Sequence, residues 1–87
     1  MLKELAAVVQ DLKGPVEDFG LKYGSIDCTE NDDGCVVYFN APDGRVAAAV
    51  FSAKELGASR SLRHLVAAKL NNLVTTFKDL GPGQMNV

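Results

Sequence analysis

The chain predicts an α+β fold of the order α-β-β-β-α, a three-stranded antiparallel sheet packed against two helices. Three observations predict it. Apolar residues spaced three and four apart open the chain at Leu2, Leu5, Val9, Leu12, Val16 and Phe19. Short β-type segments separated by turn residues fill the middle. A second helical stripe follows, with Leu62, Leu65, Val66, Leu70, Leu73, Val74 and Phe77 on one face.

Gly14-Pro15 interrupts the first stripe. Proline has no amide to donate and clashes with the preceding turn, so a kinked or broken first helix is expected over residues 1–23. Its second part starts afresh with Pro15 at the first position, and Glu17 and Asp18 fall where the helix dipole favours acids. "SIDCT", "CVVYFN" and "RVAAAVF" predict a three-stranded meander over 25–51, joined by "ENDDG" and "APDG". In "APDG", Pro42 presets a type I turn and Gly44 takes the left-handed position after it, which suits a three-residue hairpin loop. "SAKEL" reads as a short helical turn with Ser52 and Glu55 in capping-box spacing, stopped by Gly57. The last helix is expected over 59–80, ending before Gly81-Pro82, with a frayed tail over 82–87. With no repeat or linker, the 87 residues are expected to form a single domain over 1–87 with one core.

An apolar share of 47% against 23% charged residues is ordinary globular composition and excludes disorder. No apolar run approaches the roughly 18 to 20 residues of a membrane span. The first residues carry acids inside their apolar pattern, unlike a secretory signal, so a cytoplasmic location and no membrane contact are expected. Nine Lys and Arg against eleven Asp and Glu leave a net charge of −2, so any nucleic-acid contact has to be a local patch.

The turns set a register, and the register sets the faces. With Asp32-Asp33 and Pro42-Asp43-Gly44 as loops, Ile26, Cys28, Cys35, Val37, Phe39, Ala47, Ala49 and Phe51 share one side, which has the composition of a core. The other side collects Asp27, Thr29, Val36, Tyr38, Asn40, Val46, Ala48 and Val50. An antiparallel sheet with one wet face alternates apolar with polar, and "VAAAVF" does not. Two expectations follow. Either one helix packs on each face, or the second face is an association surface for a protein partner or a second copy in a homodimer, with Val36, Tyr38, Val46, Ala48 and Val50 as contact residues. The same register puts Cys28 opposite Val37 and Cys35 opposite Glu30, a diagonal pair about 7 to 8 Å apart, so both cysteines are expected as free thiols.

Groups for chemistry are few. There is one histidine, no tryptophan and no G-x-S-x-G motif, and Ser61 with His64 is a chance spacing of three. No cluster has metal-ligand spacing, "ENDDG" lacks the alternating ligands of a calcium loop, and the glycines are scattered turn and cap residues. No enzyme activity, catalytic residue, metal, cofactor or small-molecule substrate is expected.

One stretch, "GASRSLRHLVAAKL", goes against its own helix dipole. Arg60, Arg63 and His64 in a first turn each oppose it by about 0.3 to 1 kcal/mol. Exposed amides and these cations form an anion pocket, for phosphate or for the acids Glu17 and Asp18 of the first helix. Lys69 falls inside the apolar stripe, where it either snorkels to Glu4 or Asp11 or faces a partner. The stretch and the element order resemble a double-stranded-RNA-binding domain, whose last helix opens on a serine and lysines and runs into paired alanines. Ser59 matches the serine, Arg60 the first lysine, His64 the last, and Ala67-Ala68 the alanine pair. Ser61 stands in place of the second lysine, and no proline-histidine loop follows the first strand. The resemblance implies phosphate contact across an RNA groove by this helix start, with Arg60, Arg63, His64 and Lys69 as the contacts. The same architecture also serves in protein-binding and dimerisation modules. The expected function is therefore a non-catalytic protein-interaction module, an adaptor, regulator or inhibitor, acting through the outer sheet face. The alternative is a weak nucleic-acid-binding module.

Overall fold

Residues 2–29, 34–58 and 60–80 are described by a computed structural model, with side chains as far as Phe77. The elements are α1 (Leu2–Leu12), α2 (Gly14–Phe19), β1 (Lys22–Cys28), β2 (Gly34–Asn40), β3 (Val46–Ser52), α3 (Ala53–Ala58) and α4 (Leu62–Leu80). The strands form one antiparallel sheet in the order β1-β2-β3, so the fold is α+β with the expected α-β-β-β-α order. Ser59 and the tail expected over 82–87 lie outside the described residues.

The first helix breaks at Lys13, and Pro15 sits in the first turn of α2. Gly20 ends α2 in the left-handed region at φ 118°. Its N–H donates to the Glu17 carbonyl at 3.0 Å and that of Leu21 to Val16 at 3.2 Å, satisfying two carbonyls at the helix end. This turn delivers Leu21, fully buried, into the core.

Strand β1 starts three residues earlier than the alternation indicates, because it carries a bulge. Tyr23 pairs with Phe39 and Ser25 with Tyr38, which leaves Gly24 as the extra residue. The bulge lets Tyr23 and Ile26, three apart, share one face. Tyr23 then sets its ring edge-on to Phe39, with centroids 6.0 Å apart. A Cβ at position 24 would lie 2.8 Å from Asn40 Nδ2, at the end of an exposed side chain, and 3.2 Å from the Tyr38 carbonyl oxygen, so the space beside the bulge is tight.

The register between β1 and β2 corrects one expectation. Ile26 pairs with Val37 and Cys28 with Cys35, and the Thr29 N–H donates to the Gly34 carbonyl at 3.1 Å. Residues 30–33 join the strands where a two-residue turn was expected, so the pairing is displaced by two positions. An even displacement leaves every side chain on its face. It does change partners: Cys28 and Cys35 are directly opposed with Cα atoms 4.0 Å apart, and they form a disulfide where free thiols were expected. The β2–β3 turn matches its reading. Gly44 has φ 90°, its N–H donates to Ala41 at 3.1 Å, and the Ala41 N–H donates to Arg45 at 2.9 Å.

The core lies between the inner sheet face and the helices, with Leu5, Val9, Val37, Phe39, Phe51 and Val66 fully buried. Helices α1 and α4 pack on each other, α1 against β1 and α4 against β3. The small side chains of Ala47 and Ala49, both buried, let α4 approach its strand closely. A capping box starts α3: the Ser52 N–H donates to Glu55 Oε1, and the Glu55 N–H to Ser52 Oγ, each at 3.1 Å. Helix α4 begins at Leu62, later than the expected 59, because Ser61 is its cap and accepts the His64 N–H at 3.3 Å.

Gly34 has φ 133°, and a Cβ there would run into the Phe51 carbonyl oxygen. Gly34→Ala is expected to lower unfolding stability by more than about 2 kcal/mol, whereas Gly57→Ala, a helical position with open space around it, raises it by about 0.5 kcal/mol. Urea denaturation of the two variants checks both signs. Reducing the disulfide, which spans a separation of seven residues, is expected to cost about 2 kcal/mol, read as the shift in urea midpoint on adding a phosphine reductant.

Candidate functional site

Because α1 and α4 occupy the inner face, the outer face of the sheet carries no helix among the described residues. The register arranges that face in cross-strand rows: Asp27, Val36 and Val50; then Ser25, Tyr38 and Ala48; then Lys22, Asn40 and Val46. All five residues expected as partner contacts lie together here. Val50 is 57% exposed and Val46 43%, while Val36, Tyr38 and Ala48 are half-buried by their neighbours. The centre of the face is apolar, with a carboxylate at one end of β1 and an ammonium at the other.

At the Asp27 end the face sinks into a groove of about 460 Å³, lined by Asp27, Thr29, Gly34, Val36, Tyr38 and Val50. Gly34 contributes no side chain, which helps leave the space open. A second hollow of about 540 Å³ is lined by Leu2, Ala53, Leu56 and Gly57. Cys28 and Cys35 line both, so the disulfide forms part of each wall. Sequence reasoning missed Asp27 and Gly34 as groove residues. The signal for Asp27 was present in the charge pattern: five of the eleven carboxylates and none of the nine Lys and Arg fall between residues 23 and 44.

The structure divides the basic residues of α4 and its approach. Arg63 Nη1 meets Asp11 Oδ2 at 3.1 Å across the α1–α4 contact, both side chains being largely exposed. The acid it takes is Asp11 and not Glu17 or Asp18, because Glu17 is held by Lys13 at 2.8 Å. Lys69 Nζ meets Glu55 Oε2 at 2.7 Å and lies 5.9 Å from the Phe51 ring centroid. Its side chain is only 26% exposed, so it snorkels as expected, but to the acid of the neighbouring α3 and not to Glu4 or Asp11. Arg60 and His64 are exposed. At the far end of the sheet, Arg45 binds Asp43 at 2.6 Å and stacks over Phe77, 4.4 Å from its centroid.

No group of three or more metal-ligating side chains occurs among the described residues, and none of their helices is long and apolar enough to cross a membrane. The helix-strand-strand-strand-helix order and the three-stranded antiparallel sheet are compatible with the architecture of a double-stranded-RNA-binding domain. Comparison with family models, curated proteins and solved structures gives no match.

Three carboxyls are held below their ordinary range by hydrogen bonds: Glu55 by Lys69 and then the Ser52 N–H, Glu17 chiefly by Lys13, and Asp43 by the backbone N–H and then the side chain of Arg45. A carboxyl lowered on folding stabilises the fold above its unfolded value and loses that contribution as pH falls through the lowered one. Stability is therefore expected to decline as pH falls below about 4.5. In Glu55→Gln this decline is shallower, measured as the urea midpoint between pH 6 and pH 3.

Proposed function

We propose that the chain is a small non-catalytic protein-interaction module that binds through the outer face of its sheet. One observation carries this reading: Val36, Tyr38, Val46, Ala48 and Val50 form a contiguous apolar surface that the helices, all needed on the inner face, leave uncovered. Exposed apolar patches of this kind mark association sites in soluble proteins. Burying about 400 Å² of apolar surface there contributes roughly 10 kcal/mol gross at about 25 cal/mol per Å², before the costs of association. An adaptor, a regulator and an inhibitor all act in this way, toward a larger protein or a second copy.

The alternative, nucleic-acid binding by the start of α4, has less support. Arg63 and Lys69 are tied to Asp11 and Glu55, which leaves Arg60 and His64 as the basic side chains of this helix start with no ion pair among the described residues, on a chain of net charge −2. A duplex-RNA titration separates the two readings, because neutralised phosphates impose a steep salt dependence.

A photo-crosslinking residue placed at position 50 is expected to capture a protein partner or a second copy in cells, and Tyr38→Ser is expected to abolish that capture while leaving the far-ultraviolet circular dichroism unchanged. The same probe at Thr76, exposed on α4, serves as the control. Equal capture from positions 50 and 76, or none from position 50, overturns the proposal.

A further inference from the structure

The groove at the Asp27 end of the outer face carries a charge argument that specifies its occupant. Asp27 is exposed and makes no ion pair among the described residues. It lies in one cross-strand row with Val36 and Val50 and diagonally across from Tyr38. A carboxylate, two valines and an aromatic ring thus surround one hollow of about 460 Å³. Along the sequence, residues 23–44 hold five acids and no Lys or Arg; Lys22 stands at the far end of β1, and Asp43, at the opposite end of the sheet, is paired with Arg45 at 2.6 Å. The remainder of the chain holds six acids and nine Lys and Arg, so acids outnumber cations only in this stretch of sequence, and Asp27 is its described carboxylate at the groove.

Resting on the proposed outer-face interaction, we infer that this groove receives an arginine from a partner protein segment whose flanking residues are apolar. Arginine fits each wall. Its methylene stem packs on Val36 and Val50, its planar guanidinium takes the Asp27 carboxylate in a forked pair, and it lies against the Tyr38 ring, which aromatic faces favour over the more strongly hydrated lysine. Apolar neighbours in the segment then rest on Ala48 and Val46. An acidic segment is repelled by Asp27, and a nucleic-acid backbone is repelled for the same reason.

The test uses the full chain, labelled with ¹⁵N, and three synthetic probes: the capped pentapeptides Val-Arg-Val-Arg-Val, Val-Lys-Val-Lys-Val and Val-Glu-Val-Glu-Val. The arginine peptide is expected to give saturable amide shifts at Asp27, Val36 and Val50. The lysine peptide binds more weakly, and the glutamate peptide leaves these amides unmoved. Asp27→Asn is expected to weaken the arginine peptide about fivefold, and 0.5 M salt to weaken it further. Equal binding of the arginine and glutamate peptides, unchanged affinity in Asp27→Asn, or shifts confined to another surface overturns the inference. If position 50 still captures a protein in cells under any of these results, the outer-face interaction stands and only the arginine assignment falls. If position 50 captures nothing, both fall.

Discussion

Two helices of this length can shield one side of a three-stranded sheet, and here both are committed to the same side. The commitment follows from composition. Phe39, Phe51 and Val37 project inward beside small Ala47 and Ala49, so α4 closes on β3 while α1 closes on β1 and on α4. Once these contacts are made, no helical surface remains for the other side. The valines and the tyrosine that face outward are therefore a consequence of the same packing that stabilises the core.

Much of this was legible in the sequence, for a reason that the β1–β2 hairpin makes plain. The length of its connection was misjudged, yet the core and outer faces came out as read, because side-chain direction has a period of two and the error was an even number. What depended on the pairing itself was lost with it. Cys28 and Cys35 looked diagonal and are opposed, and their disulfide was missed. The bulge at Gly24 was equally hidden, since an inserted residue interrupts the alternation by which a strand is recognised, and Tyr23 dropped out of the inner face as a result. Local signals fared better. The Ser52–Glu55 capping box and the Gly44 turn involve residues within a few positions of each other, where spacing determines geometry.

Charge partners belong to the least legible class. Arg63 with Asp11 and Lys69 with Glu55 join residues distant in sequence, and several acids were equally near in prospect. Tertiary packing chose among them: α1 brings Asp11 to the start of α4, and the short α3 brings Glu55 over Lys69. These pairings also recast the basic helix start, two of whose expected contacts are engaged within the molecule. Asp27, by contrast, has no ion pair among the described residues, so the charge the chain presents at its groove is negative.

The stacking of Arg45 on Phe77 has a practical corollary for anyone attaching something to this molecule. It places the late turns of α4 beside the β2–β3 turn, and the seven-residue strand β2 separates that turn from Gly34 by about 20 Å. A dye or surface linkage attached at the exposed Thr76 therefore sits at the pole opposite the groove and leaves its mouth clear. One attached at Leu2, which lines the hollow behind the disulfide, sits at the groove's own pole and crowds it.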